Sequence, residues 1–435
     1  MHGRLRLVVV LAIVVSLAQC RAERGLWRGD ELGAGAAPRS AMTAQERSHK
    51  ALELMLGFAE RTGLSSERVQ RRYLWTDAFA VCNFLGLAAD TGEQRYRELA
   101  LKLVDRVHHT LGRHRPDDRR SGWISGLSEQ EGEEHPTRGG LRIGKPLPER
   151  AASEPFDEQL EWDRDGQYFH YLTQWMHALD QVTRATGRPV FNQWARELAE
   201  SAFRGFSYAP PGSMRRRMYW KMSVDLSRPL VPSMGQHDAL DGYVVYTQLA
   251  AGASRLPAPI DGPKVSDGAA ALAAMFEGQR LTTTDPLGLG GLLIDAFRVR
   301  ELERQRAIAG DDLLESLLTA ALVGLQAYAR QGELQLPATR RLAFRELGLA
   351  IGLRGVALMA REAGGDPKSF PAHGKARARL DALERYAALG DAIESFWLEP
   401  EHRRVATWTE HPDINDVMLA TSLLPTGFLG LHHAD

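Results

Sequence analysis

Acids and tryptophans gather where helices are expected to begin. The stretch LEWDRDGQYFHYLTQWMHALDQ, residues 160–181, sets Glu161, Asp163 and Asp165 around Trp162 and Arg164. Carboxylates this close repel one another. One suffices to cap a helix, so the others need a further use. Comparable groups recur as Trp75-Thr76-Asp77, as Gln236-His237-Asp238 with Asp241 a turn later, and as Trp408-Thr409-Glu410-His411. Crowding raises the pKa of one acid in such a group, which suits a general acid, while a carboxylate elsewhere serves as base. The paired histidines His237 and His411 offer a second acid–base chemistry, proton transfer by imidazole.

These residues need a frame, and the hydrophobic pattern supplies one. Amphipathic segments begin near Thr43, Glu93, Arg188, Val265, Asp311 and Lys375. Between them lie segments apolar almost all round, beginning at Trp75, Arg164, Gln236, Asp285, Phe344 and His411. A helix with one apolar stripe faces a core on one side; a helix apolar on every face is buried on every face. The alternation predicts an all-α fold, an α/α toroid of six helical hairpins with an inner and an outer ring. A solenoid would show one fixed period, and the spacing here is irregular. Inner helices of a toroid run parallel, so their N-termini and positive dipole ends share one mouth. The long helix-free stretches 114–160 and 207–235 both lead into inner helices, which places them as walls of that mouth. Gly288, Gly290, Gly291, Gly348 and Gly352 are expected to mark close helix approaches, because glycine inside a helix otherwise costs about 1 kcal/mol.

Twelve alternating helices with Trp and acids at the inner N-termini resemble the six-hairpin glycosidase superfamily over roughly residues 44–435. That group holds inverting glycosidases, unsaturated uronyl hydrolases and, in a related toroid, the N-acylglucosamine 2-epimerases. The resemblance implies a carbohydrate-facing cleft at the mouth. Flat aromatic faces and hydrogen-bonding side chains suit sugars, so Trp75, Asp77, Trp162, Arg164, Gln236, His237, Trp408 and His411 are expected to bind substrate. The first functional expectation is glycoside hydrolysis, with Asp163 or Asp165 as one partner, Glu410 or Asp238 as the other, and Arg164 orienting a carboxylate. The second is sugar epimerisation or isomerisation by His237 and His411, as the epimerase branch implies. The third is a toroid that holds a glycan without converting it.

Other classes fit poorly. A formal net charge of −1 gives no field for nucleic acid. Cys20 and Cys82 form no disulfide framework and no metal spacing, and no metal or cofactor is expected. The run Gly139–Lys145 has P-loop spacing, but Pro146 and Pro148 forbid the helix that must follow. Adjacent His108-His109 and His432-His433 sit at the wrong spacing for one metal on a helix face. At the N-terminus, Arg4 and Arg6 precede the apolar run Leu7–Leu17, the pattern of a signal peptide over residues 1–18. Export follows, to the periplasm or beyond, with residues 19–43 as a flexible tether and 44–435 as the functional domain. Lipidation of Cys20, which would tether the chain to a membrane, is the alternative; Gln19 stands where a lipoprotein box has Gly, Ala or Ser.

Overall fold

The computed structural model describes residues 42–213, 215–256, 260–309, 312–365, 370 and 374–431. The expected signal segment, nearly all of the tether, Cys20, His432 and His433 lie outside the described residues. Outer helix α1 (Ala44–Arg61) leads to inner α2 (Leu74–Thr91), and outer α3 (Gln94–Leu111) returns. A long excursion carries the short α4 (Glu129–Glu134), α5 (Glu158–Asp163) and β1 (Gln167–Tyr168). Inner α6 (Phe169–Thr186) and outer α7 (Val190–Phe206) follow. A second excursion carries β2 (Ser207–Tyr208), β3 (Arg217–Met218), β4 (Lys221–Met222) and β5 (Pro229–Val231). Then come inner α8 (Asp238–Ser254), outer α9 (Ser266–Phe276), inner α10 (Pro286–Arg304), outer α11 (Asp312–Arg330) and inner α12 (Ala343–Gly365). Two helices, α13 (Lys375–Glu384) and α14 (Ala387–Leu398), lie outside α12. The short α15 (Ala406–Thr409), inner α16 (Pro412–Leu423) and short α17 (Thr426–Leu429) complete the described chain.

The inner helices pack in the order α2–α6–α8–α10–α12–α16, and α16 returns to α2. The ring is closed. Outward, α3 packs on α2, α7 on α6, α9 on α8, α11 on α10, α14 on α12 and α1 on α16. This is an α/α toroid of six hairpins. Its cause is visible in burial: α2 is buried from Ala78 to Leu87 without a break, whereas α3 buries only a stripe of Tyr96, Ala100, Leu103, Val104, Val107, His108 and Leu111. Local signals fix the ends. Thr43 and Glu46 form a reciprocal capping box on α1, and Asp285 caps α10 by accepting from the Gly288 amide at 2.8 Å, with Pro286 at the first helical position. Among the described residues, no helix is long and apolar enough to cross a membrane.

One boundary differs from expectation. The second inner helix begins at Phe169, not at Arg164. Gly166 stands between them with φ +146°, and a Cβ there would meet the Met222 carbonyl oxygen at 2.7 Å. The intervening residues form β1, which pairs antiparallel with β4 (Gln167 opposite Met222, Tyr168 opposite Lys221) and so ties the second excursion to the start of α6.

The expected glycine contacts are unequal. A Cβ on Gly290 would run into the Gly348 carbonyl on α12, and one on Gly352 would meet the Gly290 oxygen at 2.7 Å. These two helices touch backbone to backbone. Gly291 has nothing within 4 Å of such a Cβ, which corrects the expectation for that position. Gly290→Ala should therefore destabilise the protein by about 2 kcal/mol or more through overpacking, while Gly291→Ala should stabilise it by about 0.5–1 kcal/mol. Urea denaturation of the two variants checks this, and equal effects would refute the close approach.

Candidate functional site

The charged cluster before α6 turns out to be a clamp. Asp165 has no solvent exposure. Its carboxylate accepts from Arg142 and from the amides of Gly144 (3.0 Å) and Gly166 (3.1 Å). The remaining donors of Arg142 go to the carbonyls of Thr110 (2.6 Å) and Arg113 (2.7 Å). Glu161 is buried between Arg150 and Lys221, at 2.9 Å from each. Lys221 also donates to the carbonyls of Glu161 and Arg164, and Arg164 makes a two-pronged pair with Glu154 at 2.8 and 3.1 Å. Each close charge-assisted bond joins one loop segment to another. Asp163 is exposed, and the cap of α5 is Asp157.

Glycoside hydrolysis was expected from paired carboxylates, and that expectation is corrected here. Asp165 is fully committed to Arg142 and backbone amides; Asp163 and Glu410 are exposed. Among the described residues, no hydrogen bond or ion pair links any of the three to Asp238. Several expected sugar contacts are corrected as well. Trp408 is buried against Trp397 (ring centroids 5.6 Å) beneath Arg403, so its face is used by the core. Asp77 is buried against Arg72 and accepts from the Tyr73 amide, closing the first turn of α2; burial pushes its carboxyl up to about 6. Arg164 is held by Glu154. Gln236 donates to the carbonyls of Arg280 and Thr282.

What the fold does bring together at the inner N-termini is an aromatic basin around His170. This residue lies in the first turn of α6, beside Tyr171 and after Tyr168 of β1. Its ring lies 5.4 Å from Tyr168, 6.0 Å from Trp75 of α2 and 6.4 Å from Trp220, nearly parallel to the last at 11°. Trp162 meets Trp220 edge-on at 5.1 Å. The Tyr73 and Tyr171 hydroxyls are 2.7 Å apart, and Lys145 lies over the Tyr73 ring. His170, Trp75, Tyr171 and Trp220 remain partly exposed, as residues lining a cleft must be.

Titratable groups complete the basin. Asp238, the first residue of α8, stands 3.8 Å from His170 Nδ1 and accepts from the Gly235 amide. Burial pushes the Asp238 carboxyl up to about 7 and the His170 imidazolium down to about 4. Desolvation disfavours the charged form of both partners. His170 Nδ1 has no hydrogen-bond partner. His237 donates from Nε2 to the Leu281 carbonyl at 2.8 Å, which leaves Nδ1 as its basic nitrogen; burial lowers its pKa. At the mouth of α16, His411 is lowered by burial, with Glu410 opposing and Lys145 assisting. Deeper in the ring, burial and the charge of Asp295 hold Asp241 well above the carboxylate range. Arg298 lies one turn beyond Asp295, over the Phe428 ring at 4.9 Å. Phe428 is itself fixed by His177 Nε2 donating to its carbonyl at 2.8 Å, so α17 floors the basin.

Sequence reasoning had not picked out His170, Tyr73, Tyr168, Tyr171, Asp295 or Arg298. A signal for His170 was present: QYFHY directly follows Gly166, and a helix start placed after that glycine puts histidine at the mouth.

No family model matches the chain, and no curated protein matches it. Among solved structures it is similar to a sugar epimerase from a ruminal bacterium, at 11% identity and TM-score 0.48, covering 88% of this chain and 98% of that one. It is also similar to cellobiose 2-epimerase from Spirochaeta thermophila DSM 6192, at 11% identity and TM-score 0.46, covering 88% and 97%. Both carry epimerase names. It is the committed and exposed carboxylates that remove the hydrolase expectation from this chain.

The two aspartates of the cluster should behave differently. Asp165→Ala strands a buried guanidinium and should cost about 3–5 kcal/mol. Asp163→Asn should change stability by no more than about 0.5 kcal/mol. Thermal or urea melts of both variants decide, and equal losses would refute the clamp.

Proposed function

We propose that this protein is a sugar epimerase or isomerase that moves a proton at the carbon beside a sugar carbonyl. The observation that carries the reading is His170, a neutral imidazole whose buried Nδ1 has no hydrogen-bond partner, set among tryptophan and tyrosine faces beside the Asp238 carboxyl, which burial raises to about 7. An imidazole held neutral has a lone pair free to take a proton at ordinary pH. A carboxyl held protonated donates a hydrogen bond to an oxygen that gains negative charge. His237 and His411, at the mouths of α8 and α16, are the further candidates for the second proton transfer; His237 presents Nδ1 because its Nε2 is occupied.

The chemistry balances without a co-reactant. One base removes the proton from the carbon next to the open-chain carbonyl, and the electron pair moves to the carbonyl oxygen as an enediolate. Return of a proton to the opposite face inverts that carbon. Return to the former carbonyl carbon, with the neighbouring hydroxyl's proton passing to the former carbonyl oxygen, gives the ketose instead. Aromatic faces would hold the C–H edges of the sugar.

Incubation of the protein with reducing mono- and disaccharides in deuterium oxide tests this. Deuterium should enter the carbon beside the carbonyl, and a new isomer should appear by NMR. His170→Ala should lower turnover by about a hundredfold or more with an unchanged melting temperature. A panel that yields no exchange with any sugar would sink the reading.

The pH dependence follows from the two shifts. His170 is neutral above about 4 and Asp238 is protonated below about 7, so turnover should rise through the first value and fall through the second. Asp238→Asn should abolish the alkaline fall while keeping the acid limb. An alkaline limb unchanged in that variant would assign it to another group.

A further inference from the structure

Beside the mouth of α8 lies a crevice lined by Arg215, Arg216, Arg217, Gly235, Gln236 and Gln279, with no carboxylate among its lining residues. Three consecutive arginines repel one another, so their neighbours should explain them. Arg215 is explained: it donates to the Ala274 and Glu277 carbonyls at the C-terminal end of α9. Arg216 uses one nitrogen on Ser207 and lies 5.5 Å from the Phe203 ring. Arg217 is exposed, and its side chain makes no hydrogen bond or ion pair among the described residues. Most arginines of the first excursion have carboxylate partners. There Arg113 pairs with Glu129, Arg115 with Asp117, Arg120 with Asp118 and Glu149, and Arg150 with Glu161. Arg216 and Arg217 have no carboxylate partner among the described residues, and Gln236 in the crevice lining directly precedes His237 and Asp238.

We infer that the crevice binds the anionic group of an acidic carbohydrate, a carboxylate or a sulfate ester, on a unit next to the sugar held at the mouth. Guanidinium groups match both oxyanions in planar, two-pronged geometry. This rests on the carbohydrate reading of the mouth and adds to it the class of substrate. A free polyanion without sugar rings would meet the arginines but not the aromatic basin.

The test is calorimetric binding of tetragalacturonate, a sulfated disaccharide and neutral cellotetraose to the full chain, at low and high salt. At least one acidic glycan should bind about tenfold or more tightly than cellotetraose, with the advantage shrinking as salt rises. Which acidic glycan is preferred separates carboxylate from sulfate. The double variant R216Q/R217Q should lose that advantage while keeping its melting temperature and its affinity for cellotetraose. Equal binding of neutral and acidic glycans by the wild type overturns the inference. So does an acidic preference that survives in the double variant, or equally tight binding of a random oligonucleotide. Acidic glycans that bind through these arginines without proton exchange would instead overturn the epimerase reading and leave this inference standing.

Discussion

Closure of the inner ring is the constraint on which everything else depends. The last inner helix, α16, must pack on the first, α2, and the segment after it must fit inside. Gly427 of α17 lies against Gly86 and the Cys82 carbonyl of α2, a contact with no room for a side chain. Asn83 of α2 donates to the Val417 carbonyl and accepts from the Thr421 hydroxyl, so a buried polar pair fixes the register of the seam. Once the ring is closed, its parallel helices deliver their N-termini to one end, and residues distant in sequence become neighbours. Tyr73, His170, Asp238 and His411 come from four different inner-helix mouths.

The same closure sets the protonation states. Each mouth histidine and Asp238 is removed from bulk water by the surrounding walls, and desolvation is the first cause of each shift. Desolvation favours the uncharged form of acids and bases alike. It therefore sets a neutral imidazole beside a carboxyl that keeps its proton up to about pH 7, where a free aspartate is ionised. The clamp residues are buried with partners instead: Asp165 with Arg142, and Glu161 with Lys221 and Arg150. Those pairs act as struts.

Those struts explain why so much charge stands before α6. The two excursions are long, carry little regular structure and would cost much conformational entropy if left free. Asp165 and Glu161 join them to each other and to the start of α6, while β1 and β4 add a backbone ladder. The wall so formed carries Trp162 and Trp220 to the basin. The charged stretch thus serves the site at one remove, by holding aromatic faces in place.

How much of this was legible in the chain can be traced residue by residue. All-round apolar segments such as 78–87 announced buried inner helices, and the outer starts at Thr43, Glu93, Arg188, Val265, Asp311 and Lys375 fell within two residues of the observed helices. Periodicity and capping are local, so sequence determined them. It also placed Asp238, His237 and His411 at mouths, because a helix start is a local signal. The roles of the acids were decided elsewhere. Whether Asp163 or Asp165 is free depends on Arg142, over twenty residues away, and whether Trp408 offers a face depends on Trp397. The start of α6 moved to Phe169 because Gly166 approaches the Met222 carbonyl, a contact between loops that no local pattern encodes. Helix, cap and burial face follow from near neighbours along the chain; pairing, desolvation and the membership of the site follow from which distant side chains the closed ring sets against one another.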